Sequence, residues 1–109
     1  MLMEKNFTPN PEEEFIRVKT PSRGEVIGVV LAMLGGGRLQ VKCDDGFTRI
    51  TRIPGKIKKK IWVKPGNLLL VKPWDIQKDE RADVVLSYSR AQAAWLKRKG
   101  FLKTIASEV

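Results

Sequence analysis

The chain has no histidine, a single cysteine and a single tyrosine, and aromatic residues make up only 7% of its 109 positions. Without histidine the commonest general base and metal ligand is missing, and Cys43 alone can form neither an internal disulfide nor a thiol-rich metal site. The carboxylates are no better placed for catalysis. Asp44 and Asp45 fall in a turn signal, Glu12, Glu13 and Glu14 lie in a Pro-rich stretch, and Cys43 occupies a core-facing strand position, so no base has a partner at useful spacing. Neither an enzyme nor a cofactor is expected. Long apolar runs are also lacking. Val26–Leu34 is interrupted by Gly28 and is too short to span a bilayer, and the opening Met1-Leu2-Met3-Glu4-Lys5 is no signal sequence. A reducing cytoplasm, and no membrane, are the expectation.

Acid is scarce relative to base, with 12 Asp and Glu against 21 Lys and Arg, a net charge of +9. The surplus is confined to two segments. Residues 38–64 carry nine basic side chains against Asp44 and Asp45, and residues 89–109 carry five against Glu108 alone. A polyphosphate partner explains such a concentration economically. The densest part is the loop Pro54-Gly55-Lys56-Ile57-Lys58-Lys59-Lys60-Ile61-Trp62-Val63-Lys64-Pro65-Gly66, which lies between two Pro-Gly breakers. Its apolar residues Ile57, Ile61 and Val63 fit a core, while its five lysines have no acidic neighbour. Trp62 is either a stacking platform beside those cations or a buried anchor.

At 42% hydrophobic and 30% charged, the chain has the composition of one small packed domain, expected to be a monomer. Residues 1–23, with Pro9, Pro11, Pro21 and the acidic triplet, read as a flexible arm anchored only by Phe7, Phe15 and Ile16. Gly24 to Leu34 reads as a strand, with Gly28 marking a bend or bulge. Arg38-Leu39-Gln40-Val41-Lys42-Cys43 alternates strictly, which makes a half-buried strand with a basic solvent face. Asp44-Asp45-Gly46 is a hairpin signal. In the return strand Phe47–Ile53, Arg49 and Arg52 lie on opposite faces, so one must point outward, and a bulge would expose both. Asn67–Pro73 is a continuous apolar strand, Trp74–Asp83 a polar connection, and Val84–Tyr88 a fifth strand. Ser89 with Gln92 makes a capping box, and Gly100 sits at a helix C-terminus. Lys97, Arg98 and Lys99 serve either the helix dipole or a nucleic acid, and Ala91, Ala94, Trp95 and Leu102 are the residues expected to dock this helix.

Five strands, a long link after the third and a terminal helix describe an all-β, five-stranded Greek-key OB-fold barrel over residues 24–88, with a C-terminal helix and tail over 89–109. Such barrels bind oligonucleotides over their second and third strands, which here carry the basic surplus. The order LGGGRLQVKC, DDG, IPGKIKKKIW and ADVVLSYS, within residues 13–100, resembles the initiation factor 1A family of archaea and eukaryotes, counterpart of bacterial initiation factor 1, of the S1-like domain type. The resemblance implies binding to the small ribosomal subunit at the A site, contact with its rRNA, and help in recruiting initiator tRNA and mRNA alongside other initiation factors. It implies RNA contact by Arg38, Lys42, Arg49, Arg52, Lys56, Lys58, Lys59, Lys60 and Trp62, to which the charge of the basic loop adds Lys64. Eukaryotic members end in a long acidic extension that docks a GTPase factor; Glu108 is the only acid of the last segment here, so the archaeal form is closer.

The mechanism that follows is electrostatic docking of a rigid barrel into an RNA cleft. A cold-shock type RNA chaperone would need several exposed aromatics on the strands, and only Phe47 and Trp62 qualify. A structural ribosomal protein would share the electrostatics and would stay on small subunits through a high-salt wash.

Overall fold

The computed structural model describes residues 18–109 apart from Lys59, Lys60 and Trp62. Five strands, β1 (Val26–Gly35), β2 (Arg38–Cys43), β3 (Thr48–Arg52), β4 (Leu68–Pro73) and β5 (Arg81–Ser87), close in the order β1-β2-β3-β5-β4. Pairing is antiparallel except between β3 and β5. This is the Greek-key barrel of the OB-fold. One turn of helix, α1 (Gly55–Lys58), opens the long link, and α2 (Arg90–Arg98) follows β5.

The hydrophobic pattern of each strand records how many of its faces are covered. β4 reads Leu68-Leu69-Leu70-Val71 because both of its sides are buried. Leu69 and Val71 join Val30, Leu39, Val41, Cys43, Ala82 and Val84 inside the barrel. Leu68 and Leu70 point the other way and join Ile27, Val29, Tyr88, Leu96, Leu102 and Ile105 in a second core beneath α2 and the C-terminal segment. β2 alternates because only its inner face is covered.

Gly28 is required by a close approach. A Cβ there would lie 2.4 Å from the Val41 side chain and 3.2 Å from the Lys42 carbonyl. It pairs with Cys43 on one side and Leu69 on the other, so one glycine lets β1 serve two neighbours. The bulge expected at Gly28 instead lies between Val30 and Ala32, and a further irregularity separates Met33 from Gly35.

α2 has the predicted capping box, with Gln92 N–H donating to Ser89 Oγ at 3.1 Å and Ser89 N–H to Gln92 Oε1 at 2.8 Å. At its other end Phe101 N–H reaches Leu96 O and Gly100 N–H reaches Lys97 O, the Schellman pattern, with Gly100 at φ 82°. Of the four residues expected to dock this helix, Trp95 and Leu102 do pack on the second core and the other two do not. Ala91 and Ala94 are exposed, and Ala93, Trp95 and Leu96 pack on the second core. β5 also begins earlier than expected, at Arg81, because Glu80 and Arg81 N–H groups close a turn onto Gln77 O and the strand then pairs with β3.

Of the segment read as an arm, residues 1–17 lie outside the described residues. Val18 packs against the second core, Tyr88 Oη donates to Lys19 O, and Lys19 pairs with Glu25 at 3.1 Å. The described end of that segment is therefore fastened to the domain. Among the described residues no helix is long and apolar enough to cross a membrane.

Candidate nucleic-acid interface

Strand alternation puts Arg38, Gln40 and Lys42 of β2 on the outer face, and Thr48, Ile50 and Arg52 of β3 beside them. The register sets Arg38 opposite Arg52, Gln40 opposite Ile50 and Lys42 opposite Thr48. Directly opposed like charges destabilise a sheet unless an anion lies between them. Lys58 of α1 reaches the same end, since its ammonium lies 3.4 Å from where a Cβ on Gly37 would be, and Gly37 O accepts from Ile53 N–H. Arg38, Lys56, Lys58 and Lys64 have no ion pair among the described residues. Lys59, Lys60 and Trp62, also expected to contact RNA, lie outside the described residues.

Three expected contacts are engaged by the protein's own carboxylates. Arg49 is corrected outright. It is 2% exposed, its Nε donates to Lys78 O at 2.6 Å, and its two terminal nitrogens grip Asp45 at 3.0 and 2.8 Å. Its guanidinium also lies 5.3 Å from the Phe47 ring. β2 and β3 pair without a bulge, so Arg49 keeps the inward phase and cannot reach an external phosphate. Arg49 instead staples the β4–β5 turn to the β2–β3 hairpin. Burial pushes the Asp45 carboxyl up, but the hydrogen bonds from Arg49 and the Phe47 N–H hold it below its ordinary value.

Arg52 points outward and is 59% exposed, yet it meets Asp83 at 3.2 Å. Asp83 also accepts from Trp74 Nε1 at 3.0 Å, and the Arg52 guanidinium lies 5.5 Å from the Trp74 ring. These three residues line an open cleft of about 470 Å³ with Lys72, Pro73 and Asp75. Trp74 and Asp83 were invisible to a strand-by-strand reading because the parallel β3–β5 pairing that brings Asp83 opposite Arg52 joins distant segments. Lys42 is paired with Glu108.

Lys64 belongs to a second basic region. It lines a groove between the barrel and α2 together with Leu68, Tyr88, Arg90, Lys97 and Glu108. The Cys43 thiol is fully buried and pushed up by that burial, consistent with an inert core residue. No group of acidic or cysteine side chains able to hold a metal ion occurs among the described residues.

Comparison with known proteins adds to this geometry. The family model described as "Translation initiation factor 1A / IF-1" matches residues 13–108. The chain is 53% identical over 91 residues to translation initiation factor 1A of Methanothermobacter thermautotrophicus, covering 84% of this chain and 92% of that one. It is 52% identical over 94 residues to the factor from Archaeoglobus fulgidus, covering 84% and 96%, and 52% identical over 91 residues to that from Methanopyrus kandleri, covering 84% and 81%.

Proposed function

Because this chain belongs to the translation initiation factor 1A / IF-1 family, and so to translation initiation on the small ribosomal subunit, we propose that it seats its β2–β3 face in the rRNA of the subunit's A site. There it promotes recruitment of initiator tRNA and mRNA into the initiation complex. The observation that carries this reading is the placement of Arg38 directly opposite Arg52, with Lys58 at the same end of the barrel. Asp83 offsets Arg52, but Arg38 opposite it and Lys58 beside it have no ion pair among the described residues, and a fold gains nothing from such unanswered cations across a ladder. A phosphate seated between them turns the repulsion into attraction, through charge-assisted hydrogen bonds from guanidinium groups suited to bind two oxygens at once.

The contacts then sort by what each cation has to give up. Arg38, Lys56, Lys58 and Lys64 neutralise phosphates with no ion pair among the described residues to displace. Lys59 and Lys60 extend the same run along the sequence, followed by Trp62, whose aromatic ring offers RNA a stacking face. Arg52, held by Asp83 and Trp74, presents a preorganised edge. Shape-directed backbone contact, not base readout, is what such a surface offers to folded RNA.

Footprinting on purified small subunits tests the proposal. Protection of decoding-site nucleotides is expected, and it should vanish with the double variant Arg38→Glu, Lys58→Glu while the melting temperature stays unchanged. Protection elsewhere on the subunit, or protection retained by the folded double variant, would sink the proposed seat.

A further inference from the structure

Glu108 stands at the junction of the two basic regions. Among the described residues it is the one acidic side chain lining the groove that Lys64, Arg90 and Lys97 share, where Lys97 Nζ also donates to Val109 O at 2.9 Å, and it reaches across to pair with Lys42 on the outer face of β2. Lys42 is the single outward cation at its end of β2, since Arg38 lies at the opposite end of the strand.

The segment carrying Glu108 is positioned by a separate device. The Asp44 carboxylate, in the β2–β3 turn, accepts N–H bonds from Lys103 at 2.9 Å, Thr104 at 2.6 Å and Ile105 at 3.1 Å. Ile105 is fully buried in the second core. This clamp fixes the chain just before the 3₁₀ turn Ala106–Glu108, so the backbone of Glu108 is held near Lys42 without help from its own side chain. Among the described residues Glu108 has no other side-chain partner, and its side chain and that of Lys42 are 32% and 38% exposed. Asp83 differs, because it holds Arg52 and the Trp74 indole together. One carboxylate is locked in a network; the other needs only a rotamer change to leave.

We propose that Glu108 is a built-in competitor for RNA phosphate at Lys42, a carboxylate that occupies the cation in the free protein and is displaced on binding, joining the β2 face and the α2 groove into one basic track. The inference rests on the RNA-binding reading above. A solvated ion pair is weak, so a phosphodiester backbone wins the exchange, while isolated anions face an occupied lysine. Glu108 therefore sets the threshold at which RNA engages Lys42 and is not a contact residue itself.

The test uses the full chain and a fluorescently labelled RNA hairpin copying the decoding-site helix, with affinities measured for the natural protein, Glu108→Gln, Lys42→Ala and the double variant. Glu108→Gln should bind about two- to fivefold tighter at low salt, the size of one exposed pair, and the gain should fade as salt screens that pair. In the Lys42→Ala background the same change should have almost no effect, because the two residues are coupled. Melting curves should be alike, since the Asp44 clamp and Ile105 are untouched. An unchanged affinity for Glu108→Gln, or an equal gain with Lys42 absent, would overturn the competitor role while leaving RNA binding intact. Failure of the natural protein to bind the hairpin at low salt would overturn the RNA-binding reading and this inference with it.

Discussion

At the scale of single residues, the interior imposes demands that a surface reading misjudges. Gly28 is wedged between β2 and β4, and the Val41 atom that an added Cβ would strike belongs to a fully buried side chain. Gly28→Ala should therefore lower stability by about 1–3 kcal/mol through overpacking, read as a drop in the urea midpoint without change in slope. Arg49 and Asp45 make the second demand. Because Arg49 holds the Asp45 carboxyl below its ordinary value when folded, the unfolded chain takes up that proton first. Stability is thus present above the unfolded carboxyl range and is lost as pH falls through the folded one. Asp45→Asn should start less stable near neutrality, yet lose on the order of 1 kcal/mol less between about pH 5 and pH 2, a figure kept small because Asp45 is partly solvated. Equal acid losses in both proteins would show that the pair does not titrate as argued. Sequence pattern showed that Arg49 and Arg52 must face opposite ways; it could not say which was inside, since Phe47, Thr51 and Ile53 share the Arg49 face and none settles the phase.

At the scale of elements, the chain ends of the domain are tied back to the barrel by side-chain and main-chain hydrogen bonds, and the single tyrosine reports on one tie. Tyr88 Oη donates to Lys19 O, and its hydroxyl is pushed up to about 12, chiefly by burial and secondarily by Glu25. A folded-state pKa above the unfolded one means stability is full below about pH 10 and falls as pH rises toward 12. As the chain has one tyrosine, absorbance of tyrosinate should titrate near pH 12 in the folded protein and near 10 in denaturant; a folded midpoint near 10 would mean the tie is open. Local chemistry made much of this level legible: the Ser89–Gln92 capping box, Gly100 at its positive φ, and the Asp44-Asp45-Gly46 hairpin are all short-range signals. The use of Asp44 to clamp residues 103–105 was not legible, because nothing near Asp44 in sequence announces a partner some sixty residues on. Asp44→Ala should free that segment, giving faster amide exchange at Ile105 and a loss of about 1–3 kcal/mol from its unsatisfied N–H groups; unchanged exchange would show that Ile105 burial alone holds the tail.

At the scale of the whole molecule, coverage and charge divide the barrel. The outer sides of β1 and β4 are roofed by α2 and the C-terminal segment, which is why Ile27, Val29, Leu68 and Leu70 are apolar on that side. The outer side of β2 and β3 has no roof among the described elements, and its alternating basic residues mark it as the open one. Composition alone located the surplus charge in residues 38–64, but it overcounted the available cations, since Arg49 is consumed inside and Lys42 and Arg52 are paired. The salt dependence of RNA binding distinguishes counted from usable charge. Five or six phosphate contacts to unpaired or irregular RNA predict a log–log slope of roughly −4. Arg38→Ala should make that slope shallower by about 1, whereas Arg49→Met in a protein that still folds should leave it unchanged despite removing the same formal charge. If instead both substitutions moved the slope equally, binding would respond to net charge alone, and the arrangement of cations on the β2–β3 face would have no special part in it.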